Sequence, residues 1–227
     1  PAVIAIDGPA ASGKTTIGRL LATDIDYLFL DTGCMYRAVT LAVLNRNVPP
    51  ENQQAVTQVA LDAEIKIQSA AGYTDGRAYT VFLDGEDVTW AIRSQRVDTC
   101  VSTVSSYLAV RQEMVKRQRM IGKQGNVVMV GRDIGTVVLP DAPLKLYITA
   151  SAEERARRRL QDRQVRHEAA EYEAILADII RRDEYDSNRE HSPLKPAADA
   201  LIIDTSNHTP QEMVTHIKSF WSVAVGD

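Results

Sequence analysis

Five short apolar runs are spaced along the chain. They are Val3–Ile6, Leu28–Leu30, Val127–Val130, Leu144–Ile148 and Leu201–Ile203. Continuous apolar runs of this length are typical of strands that are covered on both faces. Helical patterns lie between them, as at Lys14–Thr23 and Met35–Asn45. Strands that alternate with helices predict an α/β fold with a parallel sheet and right-handed crossovers.

One stretch of the chain departs from this pattern. Glu64–Gln68 reads EIKIQ, and Tyr79–Leu83 reads YTVFL directly before the turn pair Asp84 and Gly85. Polar and apolar residues that alternate next to turn residues predict a small antiparallel sheet, inserted into the α/β core. The alternative is a solvent-exposed hairpin without a role in function.

The segment that follows the first apolar run is a candidate phosphate loop. Its sequence, GPAASGKT from Gly8 to Thr15, fits the pattern G-x-x-x-x-G-K-[ST]. Such a loop gathers several N–H donors around one phosphate, and the helix that follows adds its N-terminal dipole. In this context Lys14 is expected to bridge the β- and γ-phosphates, and the Thr15 hydroxyl to bind Mg²⁺. The alternative is a glycine turn before a helix.

Composition narrows the possible classes of protein. The 227 residues suit one domain, with or without an insertion, and 26 basic against 30 acidic residues give a net charge of −4. A basic coat for nucleic acid is therefore not expected. Two cysteines do not make a disulfide framework, and the four histidines lack zinc-ligand spacing. With no apolar run near 18 residues, no membrane segment is expected, and we predict a cytoplasmic protein.

A phosphate loop does not by itself identify the phosphate acceptor. The N/T-K-x-D motif with which GTPases read guanine is absent from the sequence. Many arginines in a short chain favour a small phosphotransferase, because arginine binds phosphate through two hydrogen bonds. Six of them fall between Ser151 and Arg166. The alternative for this cluster is a solvated helix face.

Four motifs in order resemble those of the bacterial cytidylate kinases. They are IAIDGPAASGKT, DTGCMYR (Asp31–Arg37), GRDIGTVVLPDAPLK and RRDEYDSNR, and the resemblance runs from Val3 to about Asp204. It implies transfer of the γ-phosphate of ATP to CMP and dCMP. The implied architecture is a single P-loop kinase domain over 1–227, with a three-layer fold and a five-stranded parallel sheet. It also implies a small antiparallel CMP-side insert at 62–91 and an arginine-rich lid at 151–168.

The resemblance also assigns roles to individual residues of this sequence. It implies that ATP binds to the loop residues Gly8, Pro9, Ala10, Ala11, Ser12, Gly13, Lys14, Thr15 and Thr16. It implies that CMP binds to Thr32, Tyr36, Arg37, Ser102, Arg111, Arg132, Asp133, Arg182, Asp186 and Arg189. The implied catalytic residues are Lys14, Arg132, Arg155, Arg159 and Arg182. Mg²⁺ is the implied cofactor, with Thr15 as its ligand and Thr16 as the other candidate.

Each of these assignments has a simpler alternative. The Asp31–Arg37 segment begins with residues that favour a helix N-cap, Asp133 is able to form a surface ion pair, and Asp186 and Arg189 are spaced to pair along a helix. At the level of function, one alternative is a kinase for another small acceptor, such as shikimate. A nucleotide-dependent switch or binding module is another. We expect a monomer whose partners are the small molecules ATP and CMP or dCMP.

Overall fold

The computed structural model describes residues 2–165 and 169–225, with side chains as far as Trp221. Residues 166–168, at the end of the predicted lid and including Arg166, lie outside the described residues. The strands are β1 Val3–Asp7, β2 Leu28–Asp31, β3 Ile65–Ser69, β4 Tyr79–Leu83, β5 Glu86–Asp87, β6 Val127–Gly131, β7 Leu144–Thr149 and β8 Leu201–Asp204. The α-helices are α1 Lys14–Asp24, α2 Gly33–Asn45, α3 Gln53–Asp62, α4 Gln95–Ser106, α5 Leu108–Gln124, α6 Ala152–Val165, α7 Tyr172–Asn188 and α8 Pro210–Val225. Short 3₁₀ and π-helical turns occupy Ala91–Arg93 and Ile134–Val138.

The main sheet is parallel throughout, and its strand order is β2-β6-β1-β7-β8. The central strand β1 lies between β6 and β7, and Asp7 at its end is opposite Gly131. Asp31, which ends β2, is opposite Val130. The prediction of a five-stranded parallel sheet is confirmed. Because the strands run in one direction, the polar residues that follow them meet along one edge of the sheet.

The central strands are buried on both faces, as the continuous apolar runs predict. Every residue of β1 and β6 is buried, and α1 and α5 both pack against β6. Helices on either side of the sheet give the predicted three-layer arrangement. The prediction that every strand is covered on both faces is wrong for β8, where Leu201 is 37% and Ile202 is 65% exposed. This strand pairs only with β7 at the end of the sheet order, so part of its surface is left uncovered.

The helices α6 and α7 pack against each other around an apolar cluster of their own. Ala156 of α6 and the α7 residues Ile175 and Ile179 form this cluster, which is separate from the main core. The sequence pattern at Tyr172–Ile180 is amphipathic, and the helix α7 that begins there continues as far as Asn188. The turns of α7 after Ile180 carry arginines and aspartates, so the apolar pattern of the first turns does not extend to them.

The predicted antiparallel sheet is present as β3-β4-β5. Arg77, just before β4, is the electrostatic centre of this insert, since it pairs with Asp75 at 2.7 Å and with Asp87 at 2.6 Å. These hydrogen bonds hold the pKa of both carboxyl groups below the usual range. The guanidinium also lies 3.8 Å from the centre of the Tyr73 ring. Opposite charges therefore tie the loop before β4 to the end of β5.

The described part of the chain contains no helix with the length and apolar character that a bilayer crossing requires.

The first residue of the phosphate loop generates a test of the fold. Gly8 has a φ of 153°, and a Cβ added there would lie 2.0 Å from the carbonyl oxygen of Ile148 in β7. Gly72 also has a positive φ, 87°, but no atom of the described residues, its chain neighbours aside, lies within 4 Å of its added Cβ. We expect Gly72→Ala to lower the free energy of unfolding by about 1 kcal/mol, from backbone strain alone. Gly8→Ala adds a steric overlap, and the total loss is expected to reach about 3 kcal/mol.

Equilibrium unfolding of the two variants in urea measures both values. Equal losses in the two variants would show that β7 does not constrain the start of the loop.

Candidate functional site

The phosphate loop lies between the end of β1 and the start of α1. Positive φ angles at Ala11 (59°) and Gly13 (90°) turn its backbone toward the helix axis. Among the residues that the structure describes, no side chain caps the first amides of α1, so their N–H groups remain available to an anion. The Lys14 amine folds back over the loop and donates to the carbonyl oxygen of Pro9 at 2.8 Å. This arrangement is suited to binding phosphate.

The environment of Lys14 lowers the pKa of its amine to about 8. Loss of solvation is the largest cause, and the positive charge of Arg132 is the next. Asp31 and Asp7 act in the opposite direction. A lysine whose charge costs free energy in the free protein gains from a phosphate that restores a negative partner.

Two oxygen donors meet at the entrance of the loop. The Thr15 hydroxyl donates to Oδ2 of Asp31 at 2.9 Å, and the amide of Gly33 donates to Oδ1 of the same carboxylate at 3.1 Å. Thr16, the other candidate of the sequence, is exposed like Thr15, but its hydroxyl makes no hydrogen bond to a carboxylate within the described residues. A hydroxyl and one carboxylate, completed by phosphate oxygens and water, form a donor set that Mg²⁺ commonly takes in kinases. These residues therefore fit the ion.

Cations from three segments lie near one another, and Arg132 among them is close to Lys14 of the loop. Arg132 follows β6, Arg159 is on α6 and Arg182 is on α7. The pKa values of Arg132 and Arg159 are lowered, first by loss of solvation, and both are lowered further by the charge of Arg182. Within the described residues, neither Arg159 nor Arg182 makes an ion pair closer than 4 Å. This excess of positive charge is suited to the phosphates of two nucleotides.

Arg155 differs from the other arginines of α6, because its hydrogen-bond donors are already engaged. Its two terminal nitrogens donate to Asp183 at 3.1 and 2.5 Å, and Nε donates to the carbonyl oxygen of Ala150 at 3.0 Å. It also donates to the carbonyl oxygen of Ala10 in the phosphate loop at 3.3 Å. Arg155 is buried and joins α6, α7 and the loop.

A buried ion pair occupies the predicted base-binding region. Arg111 donates to Oδ2 of Asp133 at 2.5 Å, and both side chains are buried. The Arg111 guanidinium lies 5.3 Å from the centre of the Tyr36 ring, whose pKa is raised to about 12 by burial. Nε of Arg111 has no hydrogen-bond partner within the described residues. The pair presents both a carboxylate and a guanidinium to the site.

A second group of charges extends from this pair toward Arg132. Asp186 on α7 lies 2.7 Å from Arg132 and 3.6 Å from Arg189. Arg189 also donates to the carbonyl oxygen of Ser192 at 2.6 Å. The structure therefore brings Arg132, Asp186 and Arg189 together. The contact between Asp186 and Arg189 also fits the simpler alternative of a pair along the helix.

The remaining predicted CMP residues are less closely joined. Arg37 donates to the carbonyl oxygen of Ile92 at 3.0 Å and pairs with Asp98 of α4 at 2.6 Å. The buried Thr32 hydroxyl donates to the carbonyl oxygen of Val130 at 3.0 Å. Ser102 is exposed on α4, and its hydroxyl has no hydrogen bond within the described residues. Within the described residues, Arg37 and Ser102 form no hydrogen bond or ion pair with Arg111 or Asp133.

Two aspartates of the site were not among the residues chosen from the sequence. Asp31 faces Thr15, and Asp7 accepts backbone hydrogen bonds from Ile134 and Gly135. Both directly follow an apolar run, and each ends a parallel strand. That position was the available signal, because polar residues at the carboxyl ends of such strands line ligand sites.

Comparison with known proteins gives consistent matches over nearly the whole chain. A family model described as cytidylate kinase matches residues 4–222. The cytidylate kinases of Roseiflexus castenholzii and Bacillus pumilus are each 48% identical over 214 residues, which covers 94% of this chain and 90% and 93% of theirs. A bifunctional pantoate ligase/cytidylate kinase from Synechococcus is 46% identical over 93% of this chain and 39% of its own length.

A solved structure supports the fold alone. An uncharacterized protein from Eubacterium ventriosum aligns with a TM-score of 0.52 at 10% identity, covering 97% of this chain and 98% of its own.

The pKa of Lys14 generates a test of the phosphate loop. Because the free protein loses the Lys14 proton near pH 8, ATP must restore that proton when it binds above this pH. Below pH 8 Lys14 keeps its proton, so we expect its titration to leave the Kd for ATP unchanged. Above pH 8 we expect the Kd to rise by up to about tenfold per pH unit. Calorimetric titration from pH 7 to 9.5 measures this dependence.

Lys14→Met is the matched variant, since it keeps the chain length but cannot titrate. Its binding should be weaker and should show no break near pH 8. A break at the same pH in Lys14→Met would assign the titration to another group.

Proposed function

The chain belongs to the cytidylate kinase family, and we propose that it transfers the γ-phosphoryl group of ATP to CMP and dCMP, giving CDP and dCDP. The observation that carries this proposal is a phosphate loop next to a buried pair of Asp133 and Arg111. The loop accounts for a nucleoside triphosphate, and the pair is complementary to cytosine. Neither feature alone would distinguish this reaction from those of other small kinases.

The cytosine edge explains the choice of a carboxylate and a guanidinium. Cytosine presents an N4 amino donor beside the acceptors N3 and O2. In the proposed complex Asp133 accepts from N4, and Arg111 donates to N3 and O2. The two side chains bond each other at 2.5 Å in the free protein, so cytosine would exchange that contact for its own. Thr32, Tyr36 and Ser102 are the proposed neighbours of the base and sugar.

The charge cluster supports a mechanism that needs no strong general base. The acceptor is already a phosphate anion, so the site has to align two nucleotides and cancel charge in a loose transition state. Lys14, Arg132, Arg159 and Arg182 are proposed for that cancellation, since loss of solvation lowers the pKa values of the first three, and Arg182 makes no ion pair within the described residues. Arg37, Asp186 and Arg189 are proposed to hold the CMP phosphate and ribose.

We propose that Arg155 acts while it stays hydrogen-bonded to Asp183 and Ala10. It would reach a phosphate only by releasing Asp183, while its hydrogen bond to Ala10 already connects α6 to the phosphate loop. Closure of the α6–α7 pair over ATP would carry Arg159 inward and exclude water from the phosphoryl group.

Mg²⁺ is the proposed cofactor. Thr15 and Asp31 would hold it, the threonine through its hydroxyl and the aspartate through a carboxylate oxygen, directly or through water. When bound with ATP, the ion supplies charge compensation to the β- and γ-phosphates. The monomeric state, the cytoplasmic location, and the bounds of the insert and the lid stay predictions.

An acceptor panel tests the proposed function directly. ADP release from MgATP is followed with CMP, dCMP, UMP, AMP and shikimate in separate reactions. We expect rapid turnover with CMP and dCMP and much lower efficiency with the other three acceptors. Turnover with shikimate or AMP in preference to CMP would assign the chain to a different kinase reaction. Binding of ATP without ADP formation on any acceptor would favour a binding module.

Asp133→Asn tests how the base is selected. Uracil sets O4 against the carboxylate and N3–H against the guanidinium, so the wild-type ratio of kcat/KM for CMP over UMP should be about 10²–10⁴. The amide of Asn is able to turn its NH₂ toward O4. We therefore expect the variant to lose efficiency with CMP and to narrow this ratio, measured at saturating MgATP.

Asp141→Asn makes the same chemical change at an exposed position and serves as the control. A folded Asp133→Asn variant with the wild-type ratio would show that this carboxylate does not read the base.

A further inference from the structure

The carboxylate of Asp7 is bound in a way that none of the proposed roles uses. It ends β1, is only 3% exposed and directly precedes Gly8 of the phosphate loop. Oδ1 accepts from the amide of Ile134, and Oδ2 accepts from the amide of Gly135, both at 2.7 Å. One planar group thus fixes two successive N–H groups on a different segment of the chain.

The segment that Asp7 holds is the one that carries the proposed CMP residues. Arg132 and Asp133 directly precede Ile134, where the backbone enters a single π-helical turn that runs to Val138. The carbonyl oxygen of Asp133 accepts from the amides of Val137 and Val138 at 2.9 and 3.1 Å. The peptide units on either side of Ile134 are therefore held from the Asp7 side, and Asp133 is held from the turn that follows it.

The cost of burying this carboxylate indicates that its charge serves a purpose. Burial raises the pKa of Asp7 to about 6, and nearby Asp133 adds to that increase. The two backbone amides act in the opposite direction, as hydrogen bonds to the charged form do. At neutral pH the group is still ionised, and two bonds from N–H groups to a carboxylate are stronger than bonds to a neutral acceptor. A neutral side chain at this position would hold the turn less firmly.

We propose that Asp7 is a positioning residue that sets the direction of Asp133 relative to the phosphate loop and thereby supports the choice of cytosine over uracil. This role rests on the proposed function, since it presupposes that Asp133 faces the base. Asp7 itself does not touch the base in this arrangement. It acts through the backbone amides that follow Asp133, so its loss should affect the acceptor nucleotide more than ATP.

Asp7→Asn removes one of the two hydrogen bonds while it nearly preserves the shape of the side chain. The amide NH₂ of Asn faces one backbone N–H, and the peptide unit there has to rotate. We expect the CMP:UMP ratio of kcat/KM to fall about tenfold, mainly through a higher KM for CMP. The Kd for ATP, measured by calorimetry without CMP, is expected to stay within about twofold of wild type.

Gly135→Ala approaches the same contact from the other side and leaves the charge of Asp7 in place. Its added Cβ would lie 3.4 Å from Oδ2 of Asp7, an ordinary contact distance, and 3.3 Å from the Lys145 side chain, so either residue 135 or Lys145 is expected to move by a few tenths of an ångström. The CMP:UMP ratio should narrow in this variant as well. If Asp7→Asn does not fold, the CMP:UMP ratio of Gly135→Ala tests the positioning role of Asp7.

Ile217→Ala on α8 is the control for a loss of stability alone. Ile217 is fully buried, outside the proposed CMP and ATP residues. Its midpoint of thermal unfolding should fall while its CMP:UMP ratio stays that of wild type. A lower midpoint with the wild-type ratio in folded Asp7→Asn, or in Gly135→Ala if Asp7→Asn does not fold, would reduce Asp7 to a structural residue. No preference for CMP in the wild-type chain would instead overturn the proposed function, and this role with it.

Discussion

The structure depends on keeping several positive charges close together at one edge of a parallel sheet. Lys14, Arg132, Arg159 and Arg182 converge there from four different elements, and the pKa values of the first three are lowered. Loss of solvation is the largest cause for each of these three, and a neighbouring cation adds to it. Such a cluster lowers the stability of the free protein, and phosphate groups relieve that cost when they bind. The rest of the fold can be understood as the means of holding these charges.

The apolar sheet supplies the rigid part of that support. Buried strands deliver Asp7, Asp31 and Arg132 to the same edge, and buried carboxylates then fix the connecting segments. Helices α6 and α7, by contrast, share a small apolar cluster separate from the main core. Hydrogen bonds from Arg155 to Ala10 and from Arg158 to Ser12 connect them to the phosphate loop, and another from Arg158 reaches Thr205 after β8. A helix pair held mainly by polar contacts is suited to opening and closing.

The sequence predicts the sheet and the phosphate loop because both depend on local patterns. Apolar runs of three to five residues indicate buried strands without knowledge of their partners, and the loop motif is contiguous. At β8 the apolar run did not predict the exposure of Leu201 and Ile202, because that exposure depends on the place of β8 in the strand order. The sequence also could not separate Arg155 from Arg159, since the difference lies in the distant partner Asp183. Asp7 was missed for the same reason, as its two hydrogen bonds reach across more than a hundred residues.

The destabilising effect of these clustered positive charges is tested most directly by the midpoint of thermal unfolding of Arg182→Gln. It is measured with and without a bisubstrate analogue that joins adenosine and cytidine through five phosphates. Arg181→Gln is the control, because that neighbouring side chain is exposed and pairs with Asp178. We predict that Arg182→Gln without ligand is at least as stable as wild type, since one source of repulsion is gone. We also predict that the ligand stabilises it less than it stabilises wild type or Arg181→Gln. A variant that is less stable when free and gains as much from the ligand as wild type would contradict the account.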